Sequence, residues 1–233
     1  MREAFRGEMS AIGESLVEMT QLVGFAMSRA TTALLEADLD LAESVIEHDR
    51  MIDKRRDEMD ERIVDLLARQ QPVVATDLRV LVTSLRMSDD LERMGDLALH
   101  VAKVARMRHP RPAIPTEFIS TILEMNYVAQ MIVTRAGEVI ASRNVNAALE
   151  LDRNDDEMDL LHRKVFAMLL DKDWPHGTET AIDITLLSRS YERYADHAVA
   201  VARRVVYLAT GEWPEPQSDL TGEMPRVTGD YPS

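Results

Sequence analysis

The chain has 233 residues, 45% of them hydrophobic, enough to bury a sizeable core in one elongated domain or two small ones. It has no cysteine, which excludes disulfide frameworks, zinc–thiolate sites and thiol catalysis and fits a reducing cytoplasm. A net charge of −14 excludes a general basic surface for nucleic acid, repels free anions and anionic lipid, and favours divalent cations or basic partner surfaces. The first ten residues carry Glu3 and Glu8 beside Arg2 and Arg6, with no apolar core, and do not read as a signal peptide. No apolar run approaches the roughly 20 residues that cross a bilayer. The reading is a soluble protein, or one at most peripheral to a membrane.

Proline is absent from Met1 to Gln71, so the first third predicts two long helices with a turn near 37–40. The first, Arg2 to Glu36, places Ile12, Leu16, Met19, Leu22, Val23, Ala26 and Ala30 at helical spacing. Asp40 is the expected N-cap of the second, whose apolar positions run from Leu41 through Val45, Ile52, Met59 and Ile63 to Leu67; it ends at Gln70, before the Gln71-Pro72 break. A third helix spans Ala75 to Met107 and stops at Pro110, Pro112 and Pro115.

The pattern then restarts. A fourth helix is expected over Glu117 to Arg143, a fifth from Asn144 to Leu170, and, after the turn Asp173-Trp174-Pro175-His176-Gly177, a sixth over Glu179 to Thr210. The fold class is all-α, a six-helix up-down bundle of two tandem three-helix repeats, residues 1–109 and 116–210. Residues 211–233, rich in proline and poor in apolar groups, read as a disordered tail.

Glu92-Arg93-Met94-Gly95-Asp96 returns one hundred residues later as Glu192-Arg193-Tyr194-Ala195-Asp196. Upstream, Glu47-His48-Asp49-Arg50 with Asp53 is echoed by Glu150-Leu151-Asp152-Arg153 with Asp156, in the same order. Two echoes in register mean one supersecondary unit used twice. The acids form four i,i+4 pairs: Asp49 and Asp53, Glu92 and Asp96, Asp152 and Asp156, Glu192 and Asp196. Each pair projects from one face of its helix, and in an antiparallel unit the second and third helices bring two pairs together.

Converging carboxylates repel unless a cation or an arginine neutralises them, and oxygen donors suit hard cations such as Mg²⁺ or Mn²⁺, with iron also possible. The competing account of any one pair is a solvated, salt-bridged helix face beside Arg93 or Arg193. On the helical wheel the acids oppose Leu91, Met94, Ala98, Val101 and Ala105 in one half and Tyr191, Tyr194, Ala198 and Val201 in the other, so a site built on them is expected to be shallow and exposed. His100 continues the stripe of Glu92 and Asp96 as a candidate ligand, whereas Ala200 holds the matching place, so the two sites are not identical. His48, His162 and His197 are assigned structural roles. No phosphate loop, nucleophile elbow, zinc spacing or Glu-x-x-His motif is present, and the fourteen methionines read as core filler.

Val45-Ile46-Glu47-His48-Asp49, Ala68-Arg69-Gln70-Gln71-Pro72, Asp77-Leu78-Arg79 and Asp90-Leu91-Glu92-Arg93-Met94-Gly95-Asp96, in this order, resemble the PhoU family of phosphate-signalling regulators. The resemblance runs from Ser10 to Leu208 and includes Tyr191-Glu192-Arg193-Tyr194-Ala195-Asp196-His197-Ala198 in the second half. It implies two three-helix repeats, a homodimer, and surface metal clusters (Mg, Mn, Fe or Zn) at Asp49, Asp53, Glu92 and Asp96 and at Asp152, Asp156, Glu192 and Asp196. It further implies a non-enzymatic negative regulator of phosphate uptake and of the phosphate-starvation response. Such a regulator acts as an adaptor between the ATPase subunit of the Pst phosphate ABC transporter and a PhoR-type sensor histidine kinase. His100, Ala200 and Leu97 depart from the family pattern. The alternatives are a carboxylate-rich metalloenzyme or metal-storage bundle, and a purely structural bundle. The missing Glu-x-x-His motif weighs against the metalloenzyme.

Overall fold

A computed structural model describes residues 2–70, 72–153 and 155–214. Among them there is no strand, and the helices are α1 (Arg2–Glu36), α2 (Leu39–Arg69), α3 (Ala75–Arg108), α4 (Thr116–Ser142), α5 (Val145–Arg153), α6 (Asp155–Leu169) and α7 (Gly177–Thr210). These match the expected pattern, with α5 and α6 flanking residue 154 and together covering the fifth predicted helix.

Local chemistry sets the helix ends. The N-cap of α2 is Asp38, two residues before the expected Asp40: its carboxylate accepts the Leu41 amide at 2.9 Å, because Ala37 takes a left-handed φ of 53° and ends α1 one residue earlier. Asp40 instead lies in the first turn, where an acid favours the positive end of the helix dipole. Gly211, at φ 84°, closes α7 in the left-handed conformation that glycine adopts without strain. Just beyond, Trp213 stacks on Tyr207 with ring centroids 4.5 Å apart, so packed structure continues into the first residues of the predicted tail. Residues 215–233 lie outside the described set.

The apolar stripes then decide the packing. α1, α2 and α3 pack on one another, α7 packs on α4, α5 and α6, and the two units join through α1 on α4 and α3 on α7. Met19, Val23, Met27, Ile63, Leu81, Leu91, Met94, Ile132, Leu187, Tyr191 and Tyr194 are fully enclosed and form one continuous core across both units. Each contributes roughly 1.5–3 kcal/mol by leaving water.

Two glycines set the closest helix approaches. A Cβ at Gly95 of α3 would lie 2.9 Å from Ile52 Cδ1 of α2, and one at Gly137 of α4 would lie 2.7 Å from Thr20 Oγ1 of α1. α3 and α7 run antiparallel, since Asp90 meets Arg204 while Arg108 meets Asp183. The two repeated signatures therefore lie at similar heights along this crossing, the first turned toward α2 and the second toward α6. Among the described residues no helix is long and apolar enough to cross a membrane.

Candidate functional site

The close approach of α2 at Gly95 brings Asp49 and Asp53 against Glu92 and Asp96. Asp49 is half-buried, and burial, aided by the charges of Asp53, Asp96 and Glu92 and opposed by Lys103, pushes its carboxyl up to about 6. Glu92 is raised by burial first, then by Asp96 and Asp53, while Arg93 and Arg56 pull it down. Arg93 bridges Asp96 at 3.0 Å and Glu92 at 3.6 Å on its own helix. Arg56 approaches from α2, held by Asp60 at 3.3 Å and Asp57 at 3.6 Å. The charges of all four carboxylates expected in the first repeat thus act on one another across the α2–α3 contact. His100 is half-buried and its proton affinity is lowered, first by burial and then by Lys103, against Asp183 of α7. Its charged surroundings belong to the α3–α7 side.

In the second repeat, Glu192 and Asp196 face α6. Glu192 is pushed up to about 7 by burial, then by Asp196 and Asp159, with Arg189 and Arg193 opposing. Asp196 is more open to water at its surface, yet its carboxyl too is raised, by desolvation first and by Asp159 among the charges, with Arg189, His197 and Arg193 opposing. Among the described residues Asp159 of α6 adds its charge to both, three residues on from the expected Asp156, which is itself exposed. The side chain of Asp152 lies outside the described residues.

The acids are less exposed than a polar helix face suggests. The side chains of Glu92 and Glu192 retain 16% and 13% of their accessible surface, because α2 and α6 fold over them. Arg189 pairs with Glu192 Oε1, whereas Glu192 Oε2 is enclosed and has no hydrogen-bond partner. Among the described residues no three His, Asp or Glu side chains converge, as placed, closely enough to hold a metal ion. Ligation would require the carboxylates to turn about their side-chain bonds. The donor chemistry nonetheless fits a hard cation: clustered oxygen ligands with raised proton affinity, and in the second repeat an enclosed carboxylate oxygen lacking a donor.

A second set of charges, between the repeats, was not anticipated. Arg204 Nε donates to Asp90 Oδ2 at 2.7 Å, and His197 Nδ1 lies 3.2 Å from Asp90 Oδ1. At the other end of the crossing Arg108 donates to Asp183 at 2.5 Å and also binds Glu179. The signal was present: Asp90 and Asp183 share the buried stripes of Met87, Leu91, Ile184 and Leu187, and an acid in such a position needs a basic partner from another helix. His162 meets Ser188 Oγ at 2.7 Å and packs edge-on against Phe166, while His48 bonds the Ser44 carbonyl one turn back. His162 is half-buried, whereas His48 is exposed on α2.

A bundle of two helical units, each carrying a repeated acidic pair on its last helix, is the class that this architecture defines. The PhoU domain matches the chain twice, over residues 16–105 and 122–205, and the chain belongs to that family. It is 49% identical over 214 residues to "Phosphate-specific transport system accessory protein PhoU homolog 2" of Mycobacterium tuberculosis, covering 92% of this chain and 100% of the relative. It is 48% identical to PhoU homolog 1 of Mycobacterium leprae, covering 92% and 96%. The crystal structure of PhoU from Pseudomonas aeruginosa superposes with a TM-score of 0.78 at 29% identity, over 89% of this chain and all of the other. The two mycobacterial relatives bear the names of accessory proteins of phosphate-specific transport.

Proposed function

We propose that this chain regulates phosphate transport as a non-enzymatic accessory protein, restraining uptake and the phosphate-starvation response when phosphate is plentiful. The observation that carries this reading is 49% identity, along the whole of the relative, to a phosphate-specific transport system accessory protein. In the finer form of the proposal the chain works in the cytoplasm as a homodimeric adaptor between the Pst transporter's ATPase subunit and a PhoR-type sensor histidine kinase. The carboxylate grooves then hold divalent or transition metal ions, Mg, Mn, Fe or Zn. Supporting the metal part are the mutual repulsion of four acids across the α2–α3 contact and an enclosed, unpartnered oxygen of Glu192 on α7. An oxidative metalloenzyme finds less support, since the acids lie among arginines and no Glu-x-x-His motif stands beside them.

A clean deletion in the host, read with a phosphate-starvation reporter in phosphate-rich medium, tests the regulatory reading. Derepression is expected, and an unchanged reporter in a strain with no second copy overturns it. For the adaptor reading, capture of the transporter ATPase and of the kinase by the tagged chain should weaken as salt rises, because an acidic surface attracts basic partners through screened charge.

A further inference from the structure

In a sequence that is 29% charged, residues 19–28 of α1 and 125–134 of α4 carry no charge at all. Each stretch is bounded by an acid before it and an arginine after it, Glu18 and Arg29 in α1 and Glu124 and Arg135 in α4, and all four are exposed. The two helices run antiparallel, since Thr31 meets Asn126 while Gly24 lies against Val133 and Thr20 against Gly137. The stretches therefore form one uncharged band across the α1–α4 contact.

The band is apolar where it meets water. Phe25 and Tyr127 are each 69% exposed, whereas every other Phe and Tyr among the described residues is more than half enclosed. Beside Phe25 lies a cavity of about 390 Å³, lined by Val17, Thr20, Gly24, Val133 and Gly137. On its other side, toward α2, Leu22 and the exposed Met51 line a second hollow. Aromatic rings and methionine standing in water next to open hollows are the groups that interface centres bury.

Charge selects the occupant. Glu18, Phe25 and Arg29 share one face of α1 at spacings of seven and four, and Gly24 stands midway between the two charges. Neither charge is firmly engaged within the chain. Glu18 meets Arg55 at 3.8 Å with both side chains about half in water, and Arg29 donates to Ser44 Oγ at 3.0 Å. A partner of one sign matches one end of the band and is repelled by the other. An identical helix turned end for end matches both.

We propose that the α1–α4 face receives a second copy of this chain, packed face to face about a two-fold axis at Gly24. Phe25 of each copy enters the other's cavity, and Glu18 of each pairs with Arg29 of the other. The inference rests on the homodimer reading of the previous section and adds the face, the symmetry and the residues.

Sedimentation equilibrium of the full chain tests it, with circular dichroism to confirm that each variant keeps its helices. The wild type should be dimeric at micromolar concentration. Phe25→Asp should raise the dissociation constant about a hundredfold, the scale for losing a central aromatic anchor. Glu18→Arg and Arg29→Glu should each weaken the dimer about tenfold by opposing like charges, and combining them should bring it back to within about threefold of wild type. Misfolding does not produce such a recovery. A dimer indifferent to Phe25→Asp, or single variants that the double does not rescue, overturns the inference while leaving the homodimer intact. A wild type still monomeric at about 100 μM overturns the homodimer reading and this inference with it. Loss of transporter ATPase capture by Phe25→Asp in such a monomer would assign the face to that partner instead.

Discussion

Arg204 of α7 and Asp90 of α3 meet at 2.7 Å, with Asp90 only 9% exposed, so a charge pair largely shielded from water joins the second repeat to the first. His197 completes the surroundings of the same carboxylate at 3.2 Å. The repeats are therefore tied by apolar packing and by an ion pair whose partners come from different units.

Asp90→Ala leaves Arg204 uncompensated in a mostly enclosed position and should cost about 3 kcal/mol, the scale for breaking such a pair from one side. Arg204→Ala should cost a similar amount, and the double variant less than the sum, because the two share one interaction. Urea denaturation of the three variants checks this. Full additivity would mean that the pair contributes no coupling.

Two buried tyrosines should respond in opposite directions. Tyr191 Oη lies 2.6 Å from Thr31 Oγ1, whereas Tyr194 Oη is enclosed with no partner. Tyr191→Phe should therefore destabilise by about 1 kcal/mol, and Tyr194→Phe should be neutral or stabilise by about 1 kcal/mol, because the hydroxyl removed is an unsatisfied one. Paired urea midpoints decide it, and equal losses in both variants would contradict the assignment.

Gly95→Ala places a methyl group 2.9 Å from Ile52 Cδ1 and should cost about 1–3 kcal/mol through overpacking. It also presses α2 away from α3 at the level of Asp49, so Mn²⁺ binding should change in the first groove while the second is spared. Ala195 occupies the matching place in α7, so the crowding is particular to the first repeat. Thermal unfolding reads the first effect, and a Mn²⁺ titration of the chelator-stripped wild type and variant, followed by electron paramagnetic resonance, reads the second.

Asp49 and Glu192 hold their protons to about 6 and about 7 in the folded chain, against 3.8 and 4.5 for the unperturbed groups. The folded state thus binds more protons between those limits. Their contribution to stability is fully present below the unfolded values and is lost as pH rises through 6 for Asp49 and 7 for Glu192. In chelator, the thermal midpoint should fall between pH 5 and pH 7.5, and Glu192→Gln should flatten the upper part of that fall. Added Mn²⁺ should restore stability above pH 7 and do little at pH 5, where protons compete for the same oxygens. A midpoint independent of pH in wild type would remove the basis for raised carboxyls in the grooves.

The helices, the break between halves and the four acid pairs were legible because they depend on short-range order. Proline at 72, 110 and 112 cannot continue a helix and Pro115 stands at the start of the next one, and a stripe such as Leu91, Met94, Ala98 and Val101 marks a buried face whatever it packs against. An i,i+4 spacing likewise places Glu92 and Asp96 on one face without reference to any other helix. What lies across a groove depends on the register and distance between helices, which packing alone decides. The contact of Gly95 with Ile52 sets how deeply α2 covers Glu92, and the seating of α6 on α7 lets the charge of Asp159 act on Glu192. The antiparallel crossing of α3 and α7 brings Arg204 to Asp90, 114 residues apart in the chain. The acids could thus be found by their spacing, but their depth, their neighbours and the difference between the two grooves exist only once the helices are packed.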